Sequence, residues 1–233
     1  MKRVFLLVLT AAMVLCLFGC GKAELPKEGP VGTTLKSDMV EVTLTDFGFA
    51  EEGVSIDEEK PDVFCKPIPF PYALTGNESM DNFTLQASQS TYVRATEEKC
   101  VVYLEYTVKI TADETVTQAV GMPSIHFNDA EHYTLNATFG AQLSDDFNDL
   151  DALFGAQPSG RFNKQYDGVY YASSSGDSWS SMNMFWAPDT EYLCRGVAKI
   201  PVEVESNTDA PLTVSFSLPN SDGSDETYTF TIR

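Results

Sequence analysis

The chain has 233 residues, with 15 Lys+Arg against 34 Asp+Glu, for a formal charge of -19. Hydrophobic residues make up 43% and aromatics 12%, a composition too apolar for a disordered chain. The acidity excludes phosphate neutralisation on nucleic acid as a default mode and disfavours docking on anionic lipid through basic patches.

Lys2 and Arg3 open the chain with positive charge, Val4 to Leu17 forms an apolar run, and Leu17-Phe18-Gly19-Cys20 precedes Gly21-Lys22. That is the three-part layout of a secretory signal peptide. The run falls short of the roughly 20 apolar residues that span a bilayer. Ending in Cys, it resembles the bacterial lipobox, whose Cys is acylated and becomes the first mature residue. The resemblance implies that residues 1–19 are removed and that Cys20 carries the lipid. The remainder is then extracytoplasmic, lipid-anchored to the membrane of a bacterium. Residues 21–38 are Gly, Pro, Lys and Thr rich. With Cys20 they read as a flexible tether, reaching roughly 60 Å at full extension.

Past residue 38 the dominant period is two, and 39–233 reads as one domain. Val40, Val42 and Leu44 begin a first strand within Met39 to Phe49. Residues 50–82 form an irregular insertion with Pro61, Pro67, Pro69 and Pro71 and the run Phe70-Pro71-Tyr72. Val102, Leu104, Tyr106, Val108 and Ile110 alternate with Val101, Tyr103, Glu105, Thr107 and Lys109, which gives one apolar and one mixed face. Val116 to Phe127 and His132 to Phe139 form a weaker pair around Asn128-Asp129. Leu143, Phe147, Leu150 and Phe154 recur at helical spacing after Ser144 and before Gly155, which predicts a short helical insertion. Residues 143–192 are the second insertion, rich in Tyr, Trp, Ser and Gly. Ala198, Ile200, Val202 and Val204 predict a strand that is an edge or carries a bulge at Pro201, which has no N–H to donate. Leu212 to Leu218 and Tyr228 to Ile232 predict a closing antiparallel pair joined through Asp222-Gly223. Many strands with polar turns predict an all-β protein built as an antiparallel two-sheet sandwich.

The search for chemistry returns little. Cys16 leaves with the signal peptide, and Cys65, Cys100 and Cys194 remain beside the acylation candidate. They allow either one bridge in any of three pairings or three buried thiols. No CxxC pair exists to suggest zinc or a redox motif. The two histidines, His126 and His132, flank Asn128-Asp129. A three-residue loop sets them opposite each other on one face as half a metal site, whereas two or four residues place them on opposite faces. With no third His, the expectation is surface histidines and no metal. Asp145, Asp146, Asp149 and Asp151 fit the first turn of the helix better than a calcium loop, because the sixth and twelfth positions are Leu150 and Ala156. Gly176-Asp177-Ser178-Trp179 is similar to the nucleophile block of GDS-type esterases but has no His after it, so Ser173–Ser181 reads as a flexible polar loop. No catalytic residues and no cofactor are predicted. The aromatic segment with Tyr170, Tyr171, Trp179 and Trp186 is the candidate ligand surface, because such rings suit stacking on sugars or partner side chains.

Three stretches resemble uncharacterised surface lipoproteins of Gram-positive bacteria that carry an immunoglobulin-like domain. They are Val31-Gly32-Thr33-Thr34-Leu35 leading into Val40-Glu41-Val42-Thr43-Leu44-Thr45, the strand Val101 to Val108, and Val214-Ser215-Phe216-Ser217-Leu218-Pro219-Asn220. The resemblance implies an immunoglobulin-like sandwich on a lipid tether and brings no activity with it. The resulting expectation is a non-enzymatic interaction or accessory module, membrane-held through Cys20. The alternative is a solute- or glycan-binding lipoprotein using the aromatic surface.

Overall fold

The structure, a computed structural model, describes residues 25–57, 63–116, 120, 123–128, 131–135, 137–142, 169–175, 178–181, 186, 188–189 and 191–233. The described strands begin with β1 (Glu28–Pro30), β2 (Thr34–Lys36), β3 (Val40–Ala50), β4 (Gly53–Ser55) and β5 (Lys66–Pro67). After helix α1 (Glu78–Ala87) come β6 (Tyr92–Arg94), β7 (Lys99–Ile110), β8 (Ser124–Phe127), β9 (Glu131–Thr134) and β10 (Ala137–Gln142). Then follow β11 (Val169–Ser175), β12 (Ser178–Ser181), β13 (Glu191–Pro201), the helical turn α2 (Glu203–Ser206), β14 (Leu212–Pro219) and β15 (Asp225–Thr231). The described residues thus form an all-β protein.

Two sheets make the sandwich. One has the order β12-β11-β10-β13-β7-β3-β2, and the other β1-β15-β14-β8-β9. Their facing residues are the alternating apolar sets of the sequence. Val102, Leu104, Tyr106, Val108 and Ile110 are buried, as are Leu212, Val214, Phe216, Leu218, Tyr228 and Phe230, all in one core. Tyr106 and Phe216 meet edge-to-face across the two sheets at 5.0 Å, and Phe216 meets Phe230 at 5.5 Å. Such pairs add about 0.5–1.5 kcal/mol beyond the area they bury.

The closing pair forms as predicted, with Phe216 opposite Tyr228 and Val214 opposite Phe230. Its turn brings Gly223 to φ +83, where a side chain is strained, and Gly223 N–H donates to the Asn220 carbonyl at 3.0 Å.

A third layer lies on the outer face of the larger sheet. Its strands, β5-β4-β6, share a second core of Ala50, Val54, Phe64, Cys65, Val101 and Val197. The mixed face of β7 is therefore apolar where that layer covers it and charged beyond. There Arg195 Nε donates to Glu105 Oε2 at 2.9 Å.

Several expectations change. Residues 28–36 are not tether. β1 runs parallel to β15, and β2 pairs with β3, which buries Leu35 completely. The predicted strand through Val204 stops at Pro201, the last residue of β13. At Pro201 the strand is an edge, as expected: β10 pairs with β13 only from Tyr192 to Val197, and β7 alone reaches Pro201. The chain turns into α2, and Val204 is buried from there. Ser173–Ser181 is not a loop throughout: β11 and β12 pair, with Ser174 opposite Trp179. Helix α1 begins at Glu78, inside the 50–82 stretch expected to be irregular, and runs past it to Ala87. The helix predicted over 143–154, the signal peptide and Cys20 lie outside the described residues.

The two readings of residues 28–36 predict different outcomes for one substitution. Leu35→Ala is expected to cost about 2–5 kcal/mol, the range for deleting a buried leucine side chain. Urea unfolding would report it as a lower midpoint at unchanged slope. An unchanged midpoint would return the segment to the tether.

Candidate functional site

The Pro-rich run of the first insertion builds a cleft. Pro67, Pro69 and Pro71 fix φ at alternate residues and push the residues between them into extended conformation. An extended chain sends every second side chain the same way. Phe70 and Tyr72 meet at 5.5 Å, and Phe70 meets Tyr92 of β6 at 5.3 Å. Tyr92 Oη donates to the Ile68 carbonyl at 2.6 Å, and Phe70 N–H donates to Glu52 Oε2 at 2.6 Å. The Pro-rich segment is therefore fastened to the small sheet from both sides. Burial is the main cause that pushes the Tyr92 phenol up to about 12, with the Glu52 carboxylate adding to it and Arg94 opposing it.

Pairing of β4 with β6 sets Gly53 opposite Arg94, which brings the guanidinium over the Phe70 ring at 5.2 Å from its centroid. Gly53 is required there: a Cβ on it would lie 2.2 Å from the Val93 carbonyl oxygen. The resulting cleft of about 450 Å³ is lined by Glu51, Glu52, Phe70, Tyr72, Leu74, Arg94 and Ala95. Lys99 and Arg94 lie near enough to Lys199 to depress its pKa, after burial as the larger cause. The charged groups that line the cleft are Arg94, Glu51 and Glu52.

Helix α1 follows the Pro-rich run in the chain. Asn77 caps the helix by accepting from Met80 N–H at 3.2 Å. Asp81 ties down the approach, accepting from Thr75 N–H at 2.7 Å and Gly76 N–H at 2.9 Å. Those bonds, the Thr75 backbone bond first, hold its carboxyl below the usual range. The helix buries none of its own residues, and Met80 and Phe83 are 60% and 73% exposed.

Of the four residues of the expected aromatic surface, Trp186 is the one placed elsewhere. Tyr170 and Tyr171 lie in β11 and Trp179 in β12. Trp186 belongs to the core and not to a surface: it is 4% exposed, stacks edge-to-face on Tyr192 at 4.8 Å, and exchanges two backbone hydrogen bonds with Val116. The Phe70-Pro71-Tyr72 run was legible as unusual. Arg94, Glu51 and Glu52 carried no sequence signal, because long-range pairing brings them in.

His126 and His132 are direct cross-strand partners, which realises the three-residue loop, with Asn128 at φ +53. Burial first, and the His132 charge second, lower the His126 pKa. Among the described residues no group of three or more His, Cys, Asp or Glu converges as a metal site. No described helix is long and apolar enough to cross a membrane.

Cys65, Cys100 and Cys194 are unbridged and buried. Desolvation pushes the Cys65 and Cys194 thiols far above their ordinary value. Thiolate is the reactive form. Neither should take iodoacetamide in the native chain at pH 8, and both should take it in denaturant. Peptide mass spectrometry reads the difference, and native labelling of either would contradict the burial.

The fold and the cleft together define a β-sandwich protein with a small lateral layer. Neither a family model nor a curated protein matches the chain. Among solved structures it is similar to an uncharacterised β-sandwich protein from Clostridium difficile 630, at 14% identity and a TM-score of 0.41, covering 91% of this chain and 98% of that one. The sandwich assignment rests on the strand register and shared core described above.

Proposed function

We propose that this chain is a non-enzymatic, extracytoplasmic interaction module, held to the membrane through acylated Cys20, whose ligand seats in the Phe70–Tyr72–Arg94 cleft. The anchoring is supported by the lipobox-like Leu17 to Cys20 segment. The binding role is supported by one observation above others: a solvent-open cleft whose aromatic wall is held in place by Glu52 and Tyr92. Rings positioned in advance lose little entropy on binding.

The side chains favour a glycan. Aromatic faces stack on sugar rings, and Glu51, Glu52 and Arg94 offer acceptors and a planar donor fork for hydroxyls. This carries the glycan reading from the Trp-containing segment to the Pro-rich run of the first insertion and the small sheet that holds it.

Calorimetric titration with cell-wall glycan fragments and matched peptides tests the cleft. Binding is expected for glycan, with Phe70→Ala and Arg94→Ala each weakening it by about five- to thirtyfold, the ~1–2 kcal/mol of an interface anchor. Unchanged affinity in both folded variants would remove the cleft as the site, and glycan turnover would contradict the non-enzymatic role.

The anchor has its own check. Cys20→Ser is expected to shift the chain from the membrane fraction to the soluble one. Mass spectrometry of the wild type should find a mature chain beginning at a lipid-modified Cys20. An unmodified, unprocessed amino end would refute the anchoring.

A further inference from the structure

The outer face of the five-stranded sheet carries a pair of groups that the cleft does not use. β8 and β9 run antiparallel with His126 and His132 in direct register, so both imidazoles rise from the same face of adjacent strands. Their ring centroids lie 6.3 Å apart with 34° between the planes. Ile125 and Phe127, the neighbours of His126, are buried on the opposite face in the sandwich core, which fixes the direction of the His126 side chain. Ser215 of β14 places its Oγ 2.6 Å from His126 Nε2.

We propose that His126 and His132 form a two-imidazole site for a divalent first-row transition metal of the Cu²⁺ or Zn²⁺ class, with Ser215 as its positioning residue. Imidazole nitrogen suits these ions, and Cu²⁺ heads the affinity order for such ligands. A ligating His ordinarily donates its second ring N–H to a fixed acceptor, which sets its tautomer. Ser215 Oγ is that acceptor for His126 Nε2, leaving Nδ1 as the ligating atom. At a metal–nitrogen distance of about 2.0–2.1 Å, two rings converging on one ion have centroids about 4.5–5 Å apart. The pair must therefore close by somewhat more than about 1 Å. His132 is exposed and free of the core, so rotation about its side-chain bonds supplies the movement without displacing either strand. Water fills the remaining positions of the ion, which makes the site open to exchange.

Titration of the full chain with CuCl₂ and with ZnCl₂, in a large excess of Mg²⁺ to occupy carboxylates, tests the proposal. One equivalent is expected, with Cu²⁺ held more tightly than Zn²⁺ and with an electron paramagnetic resonance signal showing nitrogen ligands. His132→Ala and His126→Gln should each abolish that equivalent, and Ser215→Ala should weaken it by roughly tenfold or more. His132→Ala changes an exposed side chain, and its thermal melt in the absence of metal controls for folding. No bound equivalent, or one retained in His132→Ala, overturns the site. Unchanged affinity in Ser215→Ala overturns the positioning role.

Discussion

Burial of β7 along its inner face, and of Val101 on its outer one, is the constraint on which the molecule depends. Val102, Leu104, Tyr106 and Val108 face the sandwich core, while Val101 faces the second core under the small sheet. β13 pairs with it along one side from Glu191 to Pro201, and β3 along the other. Each fully buried Val or Leu contributes about 1.5–3 kcal/mol relative to exposure. The same strand thus organises the sandwich and mounts the cleft-bearing layer upon it. Loosening β7 would loosen both, so the lateral layer is an integral floor of the domain and not an appended loop.

The sequence disclosed the parts of this arrangement that obey a local period. Alternation at Val102 to Ile110 and at Leu212 to Leu218 was readable because one face of each strand is buried along its length. Val202 and Val204 continued the alternation past Pro201, and there the missing N–H outweighed the pattern. β2 is three residues long, too short to show a period, and its Leu35 looked like an isolated apolar residue in a polar stretch. Helix α1 escaped notice because it has no buried face for a periodic stripe to mark. Trp186 shows the reverse problem. Aromatic content signals burial and binding alike, and only the Tyr192 and Val116 contacts decide between them. Glu52 and Arg94 became neighbours through the Gly53–Arg94 pairing, which no local pattern encodes.

The outer faces of the two main sheets have diverged. One is covered for part of its area by the small sheet and ends in the Arg195–Glu105 pair. The other carries Ser124, Thr213, Ser215, Thr229 and Thr231 in cross-strand rows, with the two histidines along the β8–β9 margin. Side chains this short leave the backbone ladder near the surface and confine bulk to that margin. Ligand recognition and metal capture, as proposed, would then occupy separate sides of the molecule.

If Cys20 is the attachment, the place where β1 joins the body limits the reach of the tether. The Lys27 carbonyl already accepts from Thr229 N–H at 2.8 Å, so only residues 21–26 separate the two, about 20 Å at full stretch. Under the anchoring proposed above, a leash this short would keep the β1–β15 margin on the bilayer side, and any outward pull would fall first on the hydrogen bonds between those two strands.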